Sequence, residues 1–226
     1  HRGASGVITE EGLEKFTHTV KAITCKGCNN HCRLTINTFA DGKRYIAGNR
    51  CDKPVGLKKS GTVHDLYEYK RRILRKYRAN IRLDGKPTVG IPMALNMFEL
   101  LPFWHTLLTH LGFNVIVSED STRKTFINGQ HTIPSDTICY PAKLLHGHME
   151  QLLKLSPDVI FYPCMSYNVD EGNGDNHYNC PVVAYYPEVA NVNIKALHDV
   201  KFIHDFVGIH NQKAFPAKFG EVMKKY

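Results

Sequence analysis

The chain has 226 residues, 42% hydrophobic and 22% charged, which suits one medium domain or a small one plus a medium one and excludes a disordered chain. No apolar run reaches the ~18–20 residues of a membrane span, and the opening HRGASGVITEEGLEKF lacks a basic-then-apolar export signal and reads as the start of an excised segment. The net charge of +8 is unevenly spread, because residues 1–86 carry 19 Lys/Arg against 8 Asp/Glu (net +11) and residues 87–226 carry 10 against 13 (net −3). Charge and composition change together near Gly85-Lys86-Pro87, which predicts a basic subdomain over 1–86 and a second domain over 87–226. A net +11 suits nucleic acid, a phosphorylated ligand or an acidic partner domain, and equally a solvated basic face.

In chain order, HTVKAIT (18–24) and RLTINTF (33–39) alternate as β-strands. Asp41-Gly42 is a hairpin turn, and KRYIAG returns as a third strand toward Cys51. Thr62-Val63-His64-Asp65 resembles a capping box with Asp in place of Glu. It opens HDLYEYKRRILRKYR, with Leu66, Tyr69, Ile73, Leu74 and Tyr77 on one apolar stripe and a cationic opposite face. From Pro87 the rhythm becomes strand–helix alternation. TVGIP, NVIV, VIFYP and VVAYY read as short buried strands, and TIPSDTIC as a strand-like lead into a helix. MFELLPFWHTLLTHLGF is helical, with Pro102 marking a kink or a late start. STRKTFINGQ, AKLLHGHMEQLLKL, EVANVNIKAL and FPAKFGEVMKKY also read as helical. This predicts an α/β fold, a mainly parallel sheet with helices on both faces and right-handed crossovers, preceded by a small four-cysteine β-hairpin subdomain.

The seven cysteines are an odd number without an export signal, which points to a reducing, cytoplasmic compartment where clustered thiols bind metal or do redox chemistry. Cys25, Cys28, Cys32 and Cys51 form one set, C-x2-C-x3-C…C, which the hairpin folds into a tetrahedral thiolate group. Such a group suits zinc or an iron–sulfur cluster, and the spacing does not decide between them. Cys139, Cys164 and Cys180 stand far apart, each beside a proline and each at the end of an element. Ligands of parallel sheets gather at such ends, although three buried thiols in an α/β core remain the competing reading. His146-Gly147-His148 puts its histidines on different sides of a helix, so packing is the expected role. There is no G-x-G-x-x-G, P-loop or G-x-S-x-G pattern.

The run GIPMALNMFELLPFWHTLLTHLGFNVIVSEDSTRKTFINGQHTIPSDTICYPAKLLHGHMEQLL, with PDVIFYPC and DNHYNCPVVAYYPEV, resembles the CoA enzyme activase family. More closely, it is similar to the uncharacterised dehydratase-like domain of the large activator proteins of the 2-hydroxyacyl-CoA dehydratase system. CKGCNNHCRLTINTF…GNRC resembles the piece that joins the activase part to this domain. The resemblance implies that Cys139, Cys164 and Cys180 hold an iron–sulfur cluster of dehydratase type. It implies ATP-binding activase domains and a second dehydratase-like lobe as partners, and an acyl-CoA as substrate. The chemistry would be low-potential electron transfer serving dehydration of (R)-2-hydroxyglutaryl-CoA or another 2-hydroxyacyl thioester through a ketyl radical, with the segment alone inactive. The alternative is a non-catalytic, zinc-stapled module that docks an acidic partner or RNA through its basic half.

Overall fold

The computed structural model describes residues 7–56, 64–78 and 83–226. The chain divides into two compact units, 1–64 and 65–226. In the first, Thr9 caps a short helix α1 (Glu10–Glu14) by accepting from the Gly12 amide. It precedes an antiparallel sheet of β1 (His18–Thr24), β2 (Arg33–Phe39) and β3 (Arg44–Ala47), in that spatial order. The Asp41-Gly42 turn forms as expected. The Gly42 and Phe39 amides donate to Phe39 O and Lys43 O, each at 2.9 Å, and the Lys43 amide donates to Asp41 Oδ1 at 3.0 Å. Ala47 ends β3 opposite Thr35, so Cys51 lies in the loop beyond the strand and not at its end. Among the described residues of this unit Leu34 alone is fully buried, so the sheet has almost no apolar core of its own.

The second unit begins with α2 (Leu66–Arg75), whose cap is Asp65, its carboxylate accepting from the Glu68 amide at 3.0 Å. The Thr62 and Val63 of the expected capping box lie outside the described residues. Asp65→Ala should cost about 1 kcal/mol of stability, as loss of an N-cap usually does, read as a lower urea midpoint. Leu74 is buried and Tyr77, in the 3-10 turn after α2, packs edge-on against His105 with ring centroids 5.2 Å apart. The stripe is only partly used, since Leu66 and Tyr69 are exposed. The helix expected in the basic subdomain therefore belongs to the unit that holds the α/β sheet.

Four parallel strands follow: β4 (Thr88–Ile91), β5 (Asn114–Val117), β6 (Val159–Phe161) and β7 (Lys201–Ile203), arranged β5-β4-β6-β7. Three of them are the expected TVGI, NVIV and VIF. The fourth is not. VVAYY, expected as a strand, lies inside helix α6 (Pro181–Asn193), and the edge strand is Lys-Phe-Ile. Pro181 supplies the fixed φ that suits a first helical turn. Ala184, Pro187 and Ala190 then recur at a helical spacing and are buried, as is Tyr186. TIPSDTIC also forms no strand, being a 3-10 turn (Gln130–Thr132) and coil.

Helix α3 (Asn96–His110) runs through Pro102 without a late start. Next come α4 (Arg123–Gly129), α5 (Tyr140–Lys154) and, after α6 and β7, α7 (Phe215–Met223). The pleat identifies which face each helix covers. Phe161 points to Trp104 of α3, 4.9 Å between centroids, and to Phe219 of α7 at 6.2 Å. Such pairs add about 0.5–1.5 kcal/mol each beyond burial. Gly90, paired with Ile160, points the other way, where a Cβ would lie 3.2 Å from Leu152 of α5. Helices thus cover both faces, α3 and α7 on one and α5 on the other. The chain leaves β4 toward β5 and returns to place β6 on β4's other side, so a topological switch point lies between β4 and β6. The crevice at the carboxyl ends of those strands is where ligands of such sheets bind.

Candidate functional site

Side chains alternate along β6 and its extension, so Ile160, Tyr162 and Cys164 share the α5 face. The extension is held by backbone bonds. The Tyr162 amide donates to Ile203 O, the Cys164 amide to Asp205 O, and the Val207 amide to Cys164 O, each at 3.0 Å. Pro163 does not end the sheet, because Cys164 forms a further parallel bridge with Phe206. Cys164 is consequently 1% exposed, not on an open face as expected. Burial pushes its thiol up to about 12, against the Glu188 backbone amide, which favours the thiolate; the Glu188 and Asp205 charges push it further up.

Cys139 and Cys180 are exposed, and each is the N-cap of a helix, α5 and α6 respectively. Helices antiparallel to the strands begin at the strands' carboxyl ends, so both thiols sit at the edge where Cys164 lies. Cys180 Sγ accepts from the Val183 amide at 3.4 Å, whereas Cys139 makes no side-chain cap bond.

Two tyrosines stand among these thiols. Tyr186 of α6 donates its hydroxyl to His146 Nε2 at 3.0 Å, and burial followed by the Cys139 charge pushes its phenol up to about 12. His146 Nδ1 meets Thr132 Oγ1 at 2.8 Å, and that hydroxyl donates to Gly129 O, so His146 carries its proton on Nδ1. Tyr162 is wholly buried and its hydroxyl has no hydrogen-bond partner among the described residues. Burial, then the charges of Cys164, Tyr186 and Cys180, holds its phenol well above the ordinary value. An unmade bond of this kind costs about 1–3 kcal/mol. Sequence reasoning missed both tyrosines. The signal was the two-residue step from Tyr162 to Cys164, which has meaning only once the strand's faces are known.

His148, as expected, packs on the other side of α5 from His146. Its Nδ1 meets Ser118 Oγ at 2.9 Å and its Nε2 meets Ser121 Oγ at 2.8 Å. Nearby, Asp120 at the end of β5 collects Arg78 at 2.7 Å, Arg75 at 3.4 Å and Arg71 at 3.5 Å. Burial works to raise this carboxyl, and the three guanidinium groups hold it below its usual value. Part of the cationic face of α2 is therefore occupied within its own unit.

In the first unit the four cysteines share one end of the small sheet. β1 ends at Thr24 opposite Arg33, and the Cys25 amide donates to Cys32 O at 2.8 Å. Gly48, just past β3, runs so near β2 that a Cβ there would meet Arg33 O at 2.3 Å. A Cβ on Gly27 would lie 3.4 Å from Cys25 Sγ and 3.9 Å from Lys53 Cδ, which puts the loop carrying Cys51 beside the Cys25–Cys28 turn. A zinc ion with bonds of about 2.3 Å needs sulfurs about 3.8 Å apart. Among the described residues no three His, Cys, Asp or Glu side chains form a group placed to hold a metal ion, in either unit. A cluster spreads its ligands more widely than one ion does. At the sheet edge the donor set is soft sulfur, two of the three thiols are helix caps, and a partnerless buried hydroxyl lies on their face. Thiols are the donors that iron–sulfur groups take.

No helix among the described residues is long and apolar enough to cross a membrane. No curated protein and no solved structure matches the chain. Residues 88–226 match the CoA enzyme activase uncharacterised domain (DUF2229), beginning where the charge changes sign, and the chain belongs to that family.

Proposed function

We propose that the α/β unit holds an iron–sulfur cluster through Cys139, Cys164 and Cys180 and passes low-potential electrons in an ATP-driven system for 2-hydroxyacyl-CoA dehydration. The observation that carries this reading is the position of the three cysteines at the carboxyl edge of the sheet, beside its switch point. Membership of the CoA enzyme activase family supports it. The cluster, when bound, supplies single electrons at low potential. Cys139 and Cys180 would ligate the cluster from the N-cap positions of α5 and α6, and Cys164 is fixed by the backbone bonds on either side of it.

The test is metal and sulfide analysis of the full chain after anaerobic purification and reconstitution. Iron with sulfide is expected. Cys139→Ser, Cys164→Ser and Cys180→Ser should each remove most of that iron, while replacing Cys25, Cys28, Cys32 and Cys51 together should leave it. Zinc alone in the wild type, or iron retained in all three single variants, overturns the reading.

A further inference from the structure

Tyr162 stands out because its hydroxyl is buried without a partner among the described residues, while the buried histidines of α5 and Tyr186 of α6 are committed. Tyr186 donates to His146, His146 donates to Thr132, and His148 is held between Ser118 and Ser121. Tyr162 is 0% exposed, its backbone is pinned to Ile203, and its hydroxyl has no hydrogen-bond partner among the described residues. A phenol buried this way destabilises the fold unless an acceptor arrives. The extension of its strand places it two residues from Cys164, on the same face. A partner for this hydroxyl must accept one hydrogen bond, on the face of the strand extension that also carries Cys164. A neutral thiol is a weak acceptor, whereas a thiolate or sulfide is a strong one.

We propose that the Tyr162 hydroxyl donates a fixed hydrogen bond to a sulfur of the cluster held by Cys139, Cys164 and Cys180, and raises its reduction potential. This rests on the cluster reading above and adds a residue that tunes it. The bond favours the reduced, more negative state, because hydrogen bonds to sulfur stabilise added charge. Tyr162 is a positioning and tuning residue, since it ligates nothing.

The experiment uses the full chain, reconstituted anaerobically, as wild type and as Tyr162→Phe. Iron content should be unchanged in the variant. In a redox titration followed by electron paramagnetic resonance, its ratio of reduced to oxidised cluster at a fixed potential should fall about tenfold, which is ~59 mV for a one-electron couple. Metal-free Tyr162→Phe should melt no lower than metal-free wild type, because it removes a hydroxyl that has no partner. A loaded variant with the wild-type midpoint overturns this proposal and leaves the cluster reading standing. A metal-free variant that melts clearly lower shows the hydroxyl already satisfied, by water for example, and also overturns it. Wild type that takes up no iron overturns the cluster reading, and this proposal with it.

Discussion

Gly147→Ala should lower the thermal midpoint of the chain by roughly 10 °C, equivalent to about 3 kcal/mol at this size. Helices α4 and α5 touch backbone to backbone. A Cβ at Gly147 would lie 1.8 Å from Thr125 O and 2.6 Å from Thr125 C, and one at Gly129 would lie 2.2 Å from Gly147 N. Neither neighbour is the free end of a side chain, so the helices must separate. Overpacking alone costs about 1–3 kcal/mol. Separation also strains the bonds of His146 to Thr132 and of His148 to Ser121, which flank Gly147, at about 1 kcal/mol or more each. Alanine's better helix propensity returns at most about 1 kcal/mol. Gly220→Ala is the control. It sits in α7 with open space where its Cβ would go, so it should be neutral or slightly stabilising. A Gly147→Ala protein melting within about 2 °C of wild type would remove the close helix contact from the account.

The contrast between these two glycines shows what one sequence can reveal. Both lie within helical stretches, and nothing along the chain separates a glycine that lets two backbones meet from one facing open space. The contact joins segments from different parts of the chain, so no local pattern records it. The Asp41-Gly42 hairpin was legible because turn chemistry is local, and TVGI, NVIV and VIF because short apolar runs bounded by turns are strands buried on both faces. VVAYY has the same composition and failed. β-propensity measures fit to a pleated, half-buried surface, and here Pro181 and the buried Ala184, Pro187 and Ala190 decide for a helix. Lys-Phe-Ile was too short and too polar at its start to be noticed. The position of Cys139 and Cys180 at element ends was legible, and for Cys180 it survived the loss of the strand expected after it. The burial of Cys164 was not legible, because Cys164 reads as the end of its strand and the bridge to Phe206 depends on a segment 42 residues onward.

Stability should fall steeply as pH drops from about 6.5 to about 4, because His146 and His148 are wholly buried and held neutral. Burial lowers each to about 4; His131 adds to this for His146, and Arg78 for His148, where Asp120 works weakly the other way. The bonding shows why a second proton is refused. Ser118 Oγ accepts from the Met93 amide at 2.8 Å and so turns its own hydrogen to His148 Nδ1, while Nε2–H serves Ser121. His146 Nε2 is likewise occupied by the Tyr186 hydroxyl. In the unfolded chain a histidine titrates near ~6.5. Above that value both states are neutral and the full stability is present. Below it the unfolded state binds protons that the folded state cannot, so stability is lost until the folded value is reached. Each histidine accounts for up to about 3 kcal/mol across that interval, and the pair for a slope approaching about 2.7 kcal/mol per pH unit. That is a large share of the ~5–15 kcal/mol a domain has. His105, also lowered by burial, adds to the same window. Asp120 and Asp205 carry folded values below 3.8, so their contribution disappears only at still lower pH. Urea titrations at pH 7.5, 6, 5 and 4.5 should show the midpoint falling throughout, and His148→Gln should reduce the slope by about one proton's worth. A midpoint that stays level between pH 6.5 and 4.5 would mean the two imidazoles take up protons in place, against the bonding that closes both of their nitrogens.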